Sequence, residues 1–157
     1  MRRTKPTVLK LIEGNRNKRP LPKHEPKPPP GIPIPPPHLD AIALAEWKSM
    51  AVMLFDIGLL SLIDGAILAA YCVAFSRWRQ AEEALAIMKA KDKVTNGLLI
   101  KTTNGNVIVS PLVGVANRAM MMMIRCAEEF GMSPAARARI AAYPRDKETP
   151  DAAQSYF

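Results

Sequence analysis

The sequence lacks the motifs that usually mark an enzyme. It contains no glycine-rich phosphate loop of the GxxxxGK(S/T) kind, no Gly-x-Ser-x-Gly elbow and no recognisable spacing of metal ligands. Glu82 and Glu83 are adjacent, as are Glu128 and Glu129, and adjacent helical residues diverge by about 100°, so neither pair forms one acid/base site. We therefore predict a protein that is not an enzyme and holds neither a cofactor nor a metal ion.

Long hydrophobic runs are also missing. The most apolar region, residues 50 to 75, is interrupted by Asp56, Asp64 and two glycines. Its longest clean run, Ala66 to Phe75, is well short of the roughly 20 residues that a membrane span requires. The chain does not open with the charged and then apolar pattern of a secretory signal. We expect no membrane partner and a cytoplasmic location.

Cysteine and histidine are scarce, with two of each. Cys72 and Cys126 each lie in an apolar helical pattern, which favours small buried hydrophobic side chains over redox or metal chemistry. His24 and His38 lie in a proline-rich segment without the spacing of a metal site. The sequence therefore gives no sign of a disulfide or of a metal centre.

Positive charge is abundant and unevenly distributed. Residues 1 to 27 carry a net charge of +7, residues 28 to 142 carry +2, and residues 143 to 157 carry −1. Basic arms favour polyanions, because each cation that meets a phosphate releases condensed counterions, although charge can also serve only to keep a chain soluble. The arm residues that we predict to contact DNA phosphates are Arg2, Arg3, Lys5, Lys10, Arg16, Lys18, Arg19 and Lys23.

Proline is concentrated in the same region. Ten of the fifteen prolines fall between Pro20 and Pro37, a density that imposes polyproline II or irregular backbone. At about 3.1 Å per residue this stretch spans roughly 55 Å. Before Pro37 only Val8 to Glu13 could form a helix, which is too little for a helix-turn-helix. Residues 1 to 37 are therefore predicted to form an extended basic arm that reaches beyond its own subunit.

Helical periodicity begins after Pro37 and continues through two helices. The first ends at Gly58, and the sequence "SLIDG" places a capping box, Ser61 with Asp64, at the start of the second. The predicted core face of the first helix comprises Ala43, Trp47, Met50, Leu54 and Ile57, and the apolar stripe of the second comprises Ile63, Ile67, Ala70, Ala74, Trp78, Ala81, Leu85 and Met88.

The second helix is unusually long for so short a chain. About eight turns give roughly 45 Å, more than one small subunit covers. We therefore expect part of its face to pack on another subunit. The alternative is an ordinary antiparallel pair with the preceding helix, and both arrangements can hold together.

A short β-hairpin is predicted near residues 97 to 109, followed by a third helix. Asn104-Gly105 separates two β-favouring runs, and an isolated hairpin must pack on helices or pair with a neighbour. Ser110-Pro111 begins the third helix and Gly131 ends it. The run Met120 to Met123 favours core plus subunit interface over a recruitment surface. The predicted buried stripe of this helix is Leu112, Ala116, Ala119, Met123, Cys126 and Phe130.

The predicted organisation is mainly α: a long antiparallel helical hairpin, a third helix, one small β-hairpin and a proline-rich extended arm. Residues 1–37 form the arm, 38–142 the helical oligomerisation core and 143–157 a polar tail. Arg118 and Arg125 lie on one helix face and could line a basic surface or pair with nearby glutamates. The core residues that we predict to contact DNA are Arg77, Arg79, Lys89, Lys91, Arg118 and Arg125.

The order of these features resembles the small subunit of tailed-phage terminases, in the class associated with cohesive-end packaging. The resemblance rests on the leader "GNRNKRPLPKHEPKPPP", on "LIDGAILAAYCVAFSRWRQAEEAL", on the Ser-Pro helix and on "EFGMSPAARARI". Two details depart from the family pattern: Arg16 and Asn17 replace Pro-Gly in the leader, and the third helix begins Ser-Pro where Asn-Pro is common.

The resemblance implies a non-enzymatic DNA-packaging adaptor in the host cytoplasm. Such subunits form homo-oligomeric rings, most commonly nonamers, engage double-stranded viral DNA, and recruit and regulate the large terminase subunit that carries the ATPase and nuclease. The alternative is a free-standing nucleic-acid-binding regulatory protein, which would be a monomer or dimer. A partner-binding helical scaffold without salt-sensitive DNA binding is a third class.

Overall fold

The computed structural model describes residues 28–137. The predicted mainly helical fold with one small β-hairpin is confirmed. The predicted arm and tail fall largely outside the described residues. The elements are helix α1 (Ala41–Asp56), a 3-10 turn (Leu62–Asp64), helix α2 (Gly65–Lys91), strands β1 (Leu99–Lys101) and β2 (Val107–Val109), helix α3 (Pro111–Glu129) and helix α4 (Pro134–Arg137).

The chain divides into two compact units. The first contains Lys48–Ala66 and the described parts of Met1–Ile34 and Ala127–Phe157, and the second contains Pro35–Trp47 and Ile67–Cys126. The buried side chains of the first unit are mainly apolar and include Ile32, Ala51, Leu54, Leu60 and Phe130.

Glycines end α1 and α3 in the same way. Gly58 has φ 72° and Gly131 has φ 66°, a left-handed conformation that glycine adopts at little cost. At each helix end the residue after the glycine donates its N–H to a carbonyl five residues back, as Leu59 does to Leu54 over 2.9 Å. These Schellman motifs satisfy the last carbonyl groups. Both predicted helix ends are confirmed.

The predicted core face of α1 is correct at three of its five positions. Ala43, Trp47 and Leu54 are buried, Met50 is half-buried and Ile57 is largely exposed. The helix ends at Asp56, and the left-handed Gly58 then turns the chain, so Ile57 no longer follows the helical period. Ala51, which the periodicity did not include, is fully buried.

A capping box starts the turn that leads into α2. The Asp64 carboxylate accepts the Ser61 backbone N–H over 2.9 Å and the Ser61 hydroxyl over 2.6 Å. The same Ser61 pairs through its backbone with Pro30 in an isolated antiparallel bridge, and the Leu62 N–H donates to the Pro29 carbonyl over 3.3 Å. The predicted cap is confirmed, and it also fixes the residues that precede α1.

Polar contacts within the second unit tie the start of α1 to α2. Asp40 caps α1 by accepting the Ala43 N–H over 2.8 Å. Its other oxygen accepts the Ser76 hydroxyl over 2.6 Å and the Gln80 amide over 2.9 Å. Ser76 is buried, so its hydroxyl needs this partner. Asp40 thus holds the two helices in register.

The buried face of α2 changes side near the middle of the helix. One side buries Leu68, Ala69, Cys72 and Ser76, all in the first half, and the opposite side buries Ala74 near the middle and Ala81 in the second half. The predicted stripe matches only this opposite side, from Ala74 onward. Ile63 is 71% exposed and Ile67 is 40% exposed, so the beginning of the stripe is open.

The β-hairpin closes through a glycine rather than through the two-residue turn that Asn-Gly usually forms. Leu99 pairs with Val109 and Lys101 with Val107, and the Thr102 N–H donates to the Asn106 carbonyl over 2.8 Å. Gly105 has φ 85° while Asn104 keeps a negative φ, as in a three-residue loop with a glycine bulge. Each face of this ribbon carries exposed apolar residues.

The predicted buried stripe of α3 is confirmed. Ala116, Ala119, Cys126 and Phe130 are buried, while Leu112 and Met123 are half-buried. The helix begins at Pro111 after the buried Ser110, whose backbone N–H extends the hairpin by donating to the Leu98 carbonyl over 2.8 Å. In α4, Ser133 caps the first turn by accepting the Ala136 N–H over 3.1 Å.

Candidate nucleic-acid interface

The four predicted cations on α2 are all exposed but point in different directions. Arg77 and Lys91 are fourteen residues apart, so they lie on nearly the same side, about 21 Å from each other along the axis. Arg79 and Lys89 lie on other sides of the helix. This arrangement supplies separate phosphate contacts rather than one concentrated basic patch.

Arg79 is already engaged within its own helix. Its Nε lies 3.0 Å from Glu83 Oε1, an i, i+4 ion pair whose side chains are more than half exposed. Such exposed pairs are weak, because water screens them and ordering two long side chains costs entropy. Arg79 can therefore leave Glu83 for a phosphate at little cost.

Lys89 and Lys91 lie where α2 ends in an ordered turn. Asp92 accepts the Val94 N–H over 3.0 Å and the Thr95 N–H over 3.2 Å. Hydrogen bonds from the Thr95 side chain and backbone lower the pKa of Asp92 from its ordinary value. The carboxylate therefore stays charged and reduces the positive field at this end of the helix.

The two predicted arginines of α3 are exposed, and neither forms an ion pair within residues 28–137. The Arg118 guanidinium lies over Gly114, where an added Cβ would be 3.4 Å from Nη1. The prediction left open whether Arg125 pairs with Glu128 or Glu129, and the described contacts contain no such pair. Both cations are available to a ligand or a neighbouring subunit.

The predicted contacts of the arm, Arg2 to Lys23, lie outside the described residues. They stay a prediction from the sequence.

Two ionisable side chains near the start of α2, Tyr71 and Cys72, have raised pKa values and stay protonated. The Tyr71 hydroxyl donates to Glu46 Oε1 over 3.2 Å, and burial together with the Glu46 charge raises the Tyr71 pKa to about 12. Burial, and then the Glu46 charge, raises the pKa of the Cys72 thiol to about 12. Cys126 is also buried and is not part of a disulfide, so both cysteines pack as the small hydrophobic residues that we predicted. A thiol held protonated in this way is a poor nucleophile.

Two exposed apolar regions of the helices were not among the predicted site residues. Ile63 and Ile67 begin the open part of the α2 stripe, and Met121 and Ile124 lie on the outer side of α3. The methionine run had marked the second region, but periodicity alone does not reveal which part of a stripe the chain covers itself. Both regions leave large apolar side chains open to solvent.

The described residues contain neither a metal-ligand cluster nor a membrane-spanning helix. Within residues 28–137, no group of three or more His, Cys, Asp or Glu residues is placed to hold a metal ion. In the same part of the chain, no helix combines the length and the apolar character needed to cross a membrane.

Comparison with known proteins identifies the family. The family model described as "Phage terminase, small subunit" matches residues 43–147, which is most of the chain. No curated protein and no solved structure gives a significant match. Small subunits of this family are generally the non-catalytic part of the phage DNA-packaging machinery. The cohesive-end class stays a prediction. The chain thus belongs to the phage terminase small-subunit family.

Proposed function

We propose that this protein is a non-enzymatic adaptor that assembles as a ring, engages double-stranded viral DNA, and recruits and regulates the large terminase subunit in the host cytoplasm. The family match supports a role in phage DNA packaging. The observation that supports the ring is the open apolar stripe at the start of α2, where Ile67 and Ala70 are exposed in a single chain. A helix of 27 residues, about 40 Å long, presents this stripe to a neighbour.

Solution mass tests the assembly. Light scattering is expected to give many copies, about 156 kDa for nine copies of the 17.3 kDa chain. A mass of one or two subunits, with or without DNA, would contradict the ring and favour a free-standing nucleic-acid-binding regulator.

DNA contact in this proposal is mainly to phosphates. It is made by the basic arm and by exposed cations of α2 and α3, among which Arg77, Lys91 and Arg118 have no ion pair in the described part of the chain. Affinity is expected to fall steeply with salt, because each neutralised phosphate releases counterions. A log–log slope near zero would rule out this mode of binding.

Deleting residues 1–27, which keeps the buried Ile32 and the bridge between Pro30 and Ser61, separates the two parts of the proposal. The shortened protein is expected to keep its number of subunits and to lose most of its affinity for DNA, because residues 1–27 hold a charge of +7 out of the net +8. If the deletion instead abolishes assembly and leaves DNA binding unchanged, the arm is an intersubunit contact. Co-purification with the large subunit from the same phage, compared for the two forms, tests recruitment.

A further inference from the structure

Helix α3 presents a row that includes two exposed large apolar residues, Met121 and Ile124, on the side away from its own core. Gly114, Asn117, Met121 and Ile124 follow the spacing 3, 4, 3, which places them along one side of the helix. The buried Ala116, Ala119 and Cys126 occupy the opposite side. Met121 is 57% exposed and Ile124 is 58% exposed, so the contacts of the single chain leave this row uncovered.

The glycine in this row has no function within the single chain. Gly114 lies inside the first half of α3 with an ordinary helical φ, and glycine weakens a helix relative to alanine. An added Cβ would approach only the Arg118 guanidinium, the mobile end of a long side chain. A missing side chain at this half-buried position allows another backbone to come close.

The second half of α2 presents a complementary face. Glu83, Ala86, Ile87 and Ala90 lie on the side opposite the buried Ala81, and Ile87 is 61% exposed. Glu83 Oε1 binds Arg79, which leaves the second carboxylate oxygen able to accept another cation. This face is acidic at Glu83 and small at Ala86, whereas the row on α3 is bulky at Met121 and basic at Arg125.

We propose that the outer face of α3 in one copy packs antiparallel on the outer face of the second half of α2 in the next copy. Met121 then lies against the neighbouring Ala86 and Arg125 against the neighbouring Glu83. Met121 and Arg125 are four residues apart, about 6 Å along the axis, and Ala86 and Glu83 are three residues apart in the reverse direction, about 4.5 Å. Both contacts therefore form in a single antiparallel register.

The occupant of each face is a second copy, because the two faces differ and complement each other in size and charge. A contact between two different faces of one chain is heterologous, and such contacts close into a ring when the rotation between copies allows it. The inference rests on the proposed ring and adds the helix surfaces that join its subunits. It also assigns Arg125 to a protein contact, which removes it from the predicted DNA contacts.

Adjacent methionines supply a matched test of the apolar contact. Met121→Asp is expected to reduce the solution mass to one subunit at a concentration where the wild type is fully assembled. Met122→Asp introduces the same charge one residue away, at an exposed position outside the row, and is expected to leave the mass unchanged. Circular dichroism of both variants checks that helix content is preserved.

A reciprocal charge reversal tests the register. Arg125→Glu is expected to shift the midpoint of assembly at least tenfold to higher concentration. Arg125→Glu with Glu83→Arg is expected to restore part of that loss, because every interface then carries the reversed pair while the introduced arginine repels Arg79 four residues earlier. Lys101→Glu, on the hairpin, is the charge control. If the double variant assembles no better than Arg125→Glu, the register is wrong.

The outcomes also separate this inference from the proposed function. If the wild type is a multimer and Met121→Asp keeps its mass, the ring stands and this interface is wrong. If Met121→Asp keeps its mass but no longer co-purifies with the large subunit, the face belongs to that partner and the inference is overturned. A monomeric wild type overturns both proposals.

Discussion

The two halves of α2 differ in how they use the same helix. In the first half, Leu68, Cys72 and Ser76 face the residues of their own chain, and the apolar stripe that includes Ile67 faces solvent. In the second half the stripe turns inward through Ala81, and the outer side carries charged and small residues. A single chain thus satisfies only part of a continuous apolar stripe. The unsatisfied part is where the proposed assembly would contribute.

The largest expected effect on stability comes from comparing Leu68, on the buried side of the first half of α2, with Ile67, on its exposed side. Leu68→Ala removes a fully buried side chain and is expected to lower the free energy of unfolding by about 2 to 5 kcal/mol. Ile67→Ala should lower it by less than about 1 kcal/mol and should weaken assembly instead. Urea unfolding and light scattering at matched concentration measure the two quantities. Equal losses of stability would mean that the two sides of the helix are not different.

The hydrogen bonds between Asp40 and the middle of α2 are expected to contribute less to stability than the buried Leu68. Asp40→Ala removes the cap of α1 and the acceptor for Ser76 and Gln80, with an expected loss of about 1 to 2 kcal/mol. Asp40→Asn keeps one oxygen for the Ala43 N–H but cannot accept both other donors, so it should fall between the wild type and Asp40→Ala. Thermal or urea unfolding of the three proteins measures the order.

The pH dependence of stability tests the same hydrogen bonds of Asp40. The Ser76 hydroxyl, followed by the Ala43 N–H, lowers the pKa of Asp40 below its ordinary value of 3.8. A carboxylate with a lowered folded-state pKa stabilises the fold above its unfolded pKa, and the stabilisation is lost as the pH falls through the folded value. The wild type should therefore lose more stability than Asp40→Asn between about pH 5 and pH 3. Parallel curves for the two proteins would contradict the link.

The reactivity of the Cys72 thiol tests whether this side of α2 is buried. In a Cys126→Ala background, Cys72 is expected to resist a disulfide reagent at pH 8, because a pKa of about 12 leaves roughly one thiol in ten thousand ionised. Reaction should begin when denaturant unfolds the protein. Full modification within seconds in native buffer would place Cys72 at the surface.

The smallest expected effect on stability is for the exposed ion pair on the outer side of the second half of α2. Arg79→Ala breaks the exposed pair with Glu83 and should change the free energy of unfolding by less than about 0.5 kcal/mol. Added salt should remove even this difference. A loss above 1 kcal/mol would mean that the pair is covered, which would extend the inward-facing part of α2.

Local signals in the sequence were sufficient to predict the ends of the helices. Gly58 and Gly131 stop helices because they adopt a left-handed φ, and Ser61 with Asp64 forms its cap within four residues. The same local reasoning gave the positions of the hairpin and of α3. Such predictions succeed when the interacting groups are neighbours in the chain.

The buried face of the first half of α2 could not be predicted in this way. Ser76 and Cys72 look neutral beside the isoleucines of the stripe, and Ser76 is buried because Asp40, 36 residues earlier, accepts its hydroxyl. Periodicity ranks faces by apolar content and contains no information about such distant partners. For the candidate interface, the sequence located the cations and their spacing around the helix, but it did not predict the pair of Arg79 with Glu83.

The bridge between Pro30 and Ser61 has a mechanical consequence. Residues 1–27 precede this bridge in the chain, and at the bridge the Leu62 N–H donates to the Pro29 carbonyl just before the cap of α2. If the arm binds DNA as proposed, tension on it would first load these few hydrogen bonds and then the beginning of the long helix. In that case the force that breaks the bridge would limit the pull that a single arm can transmit to its subunit.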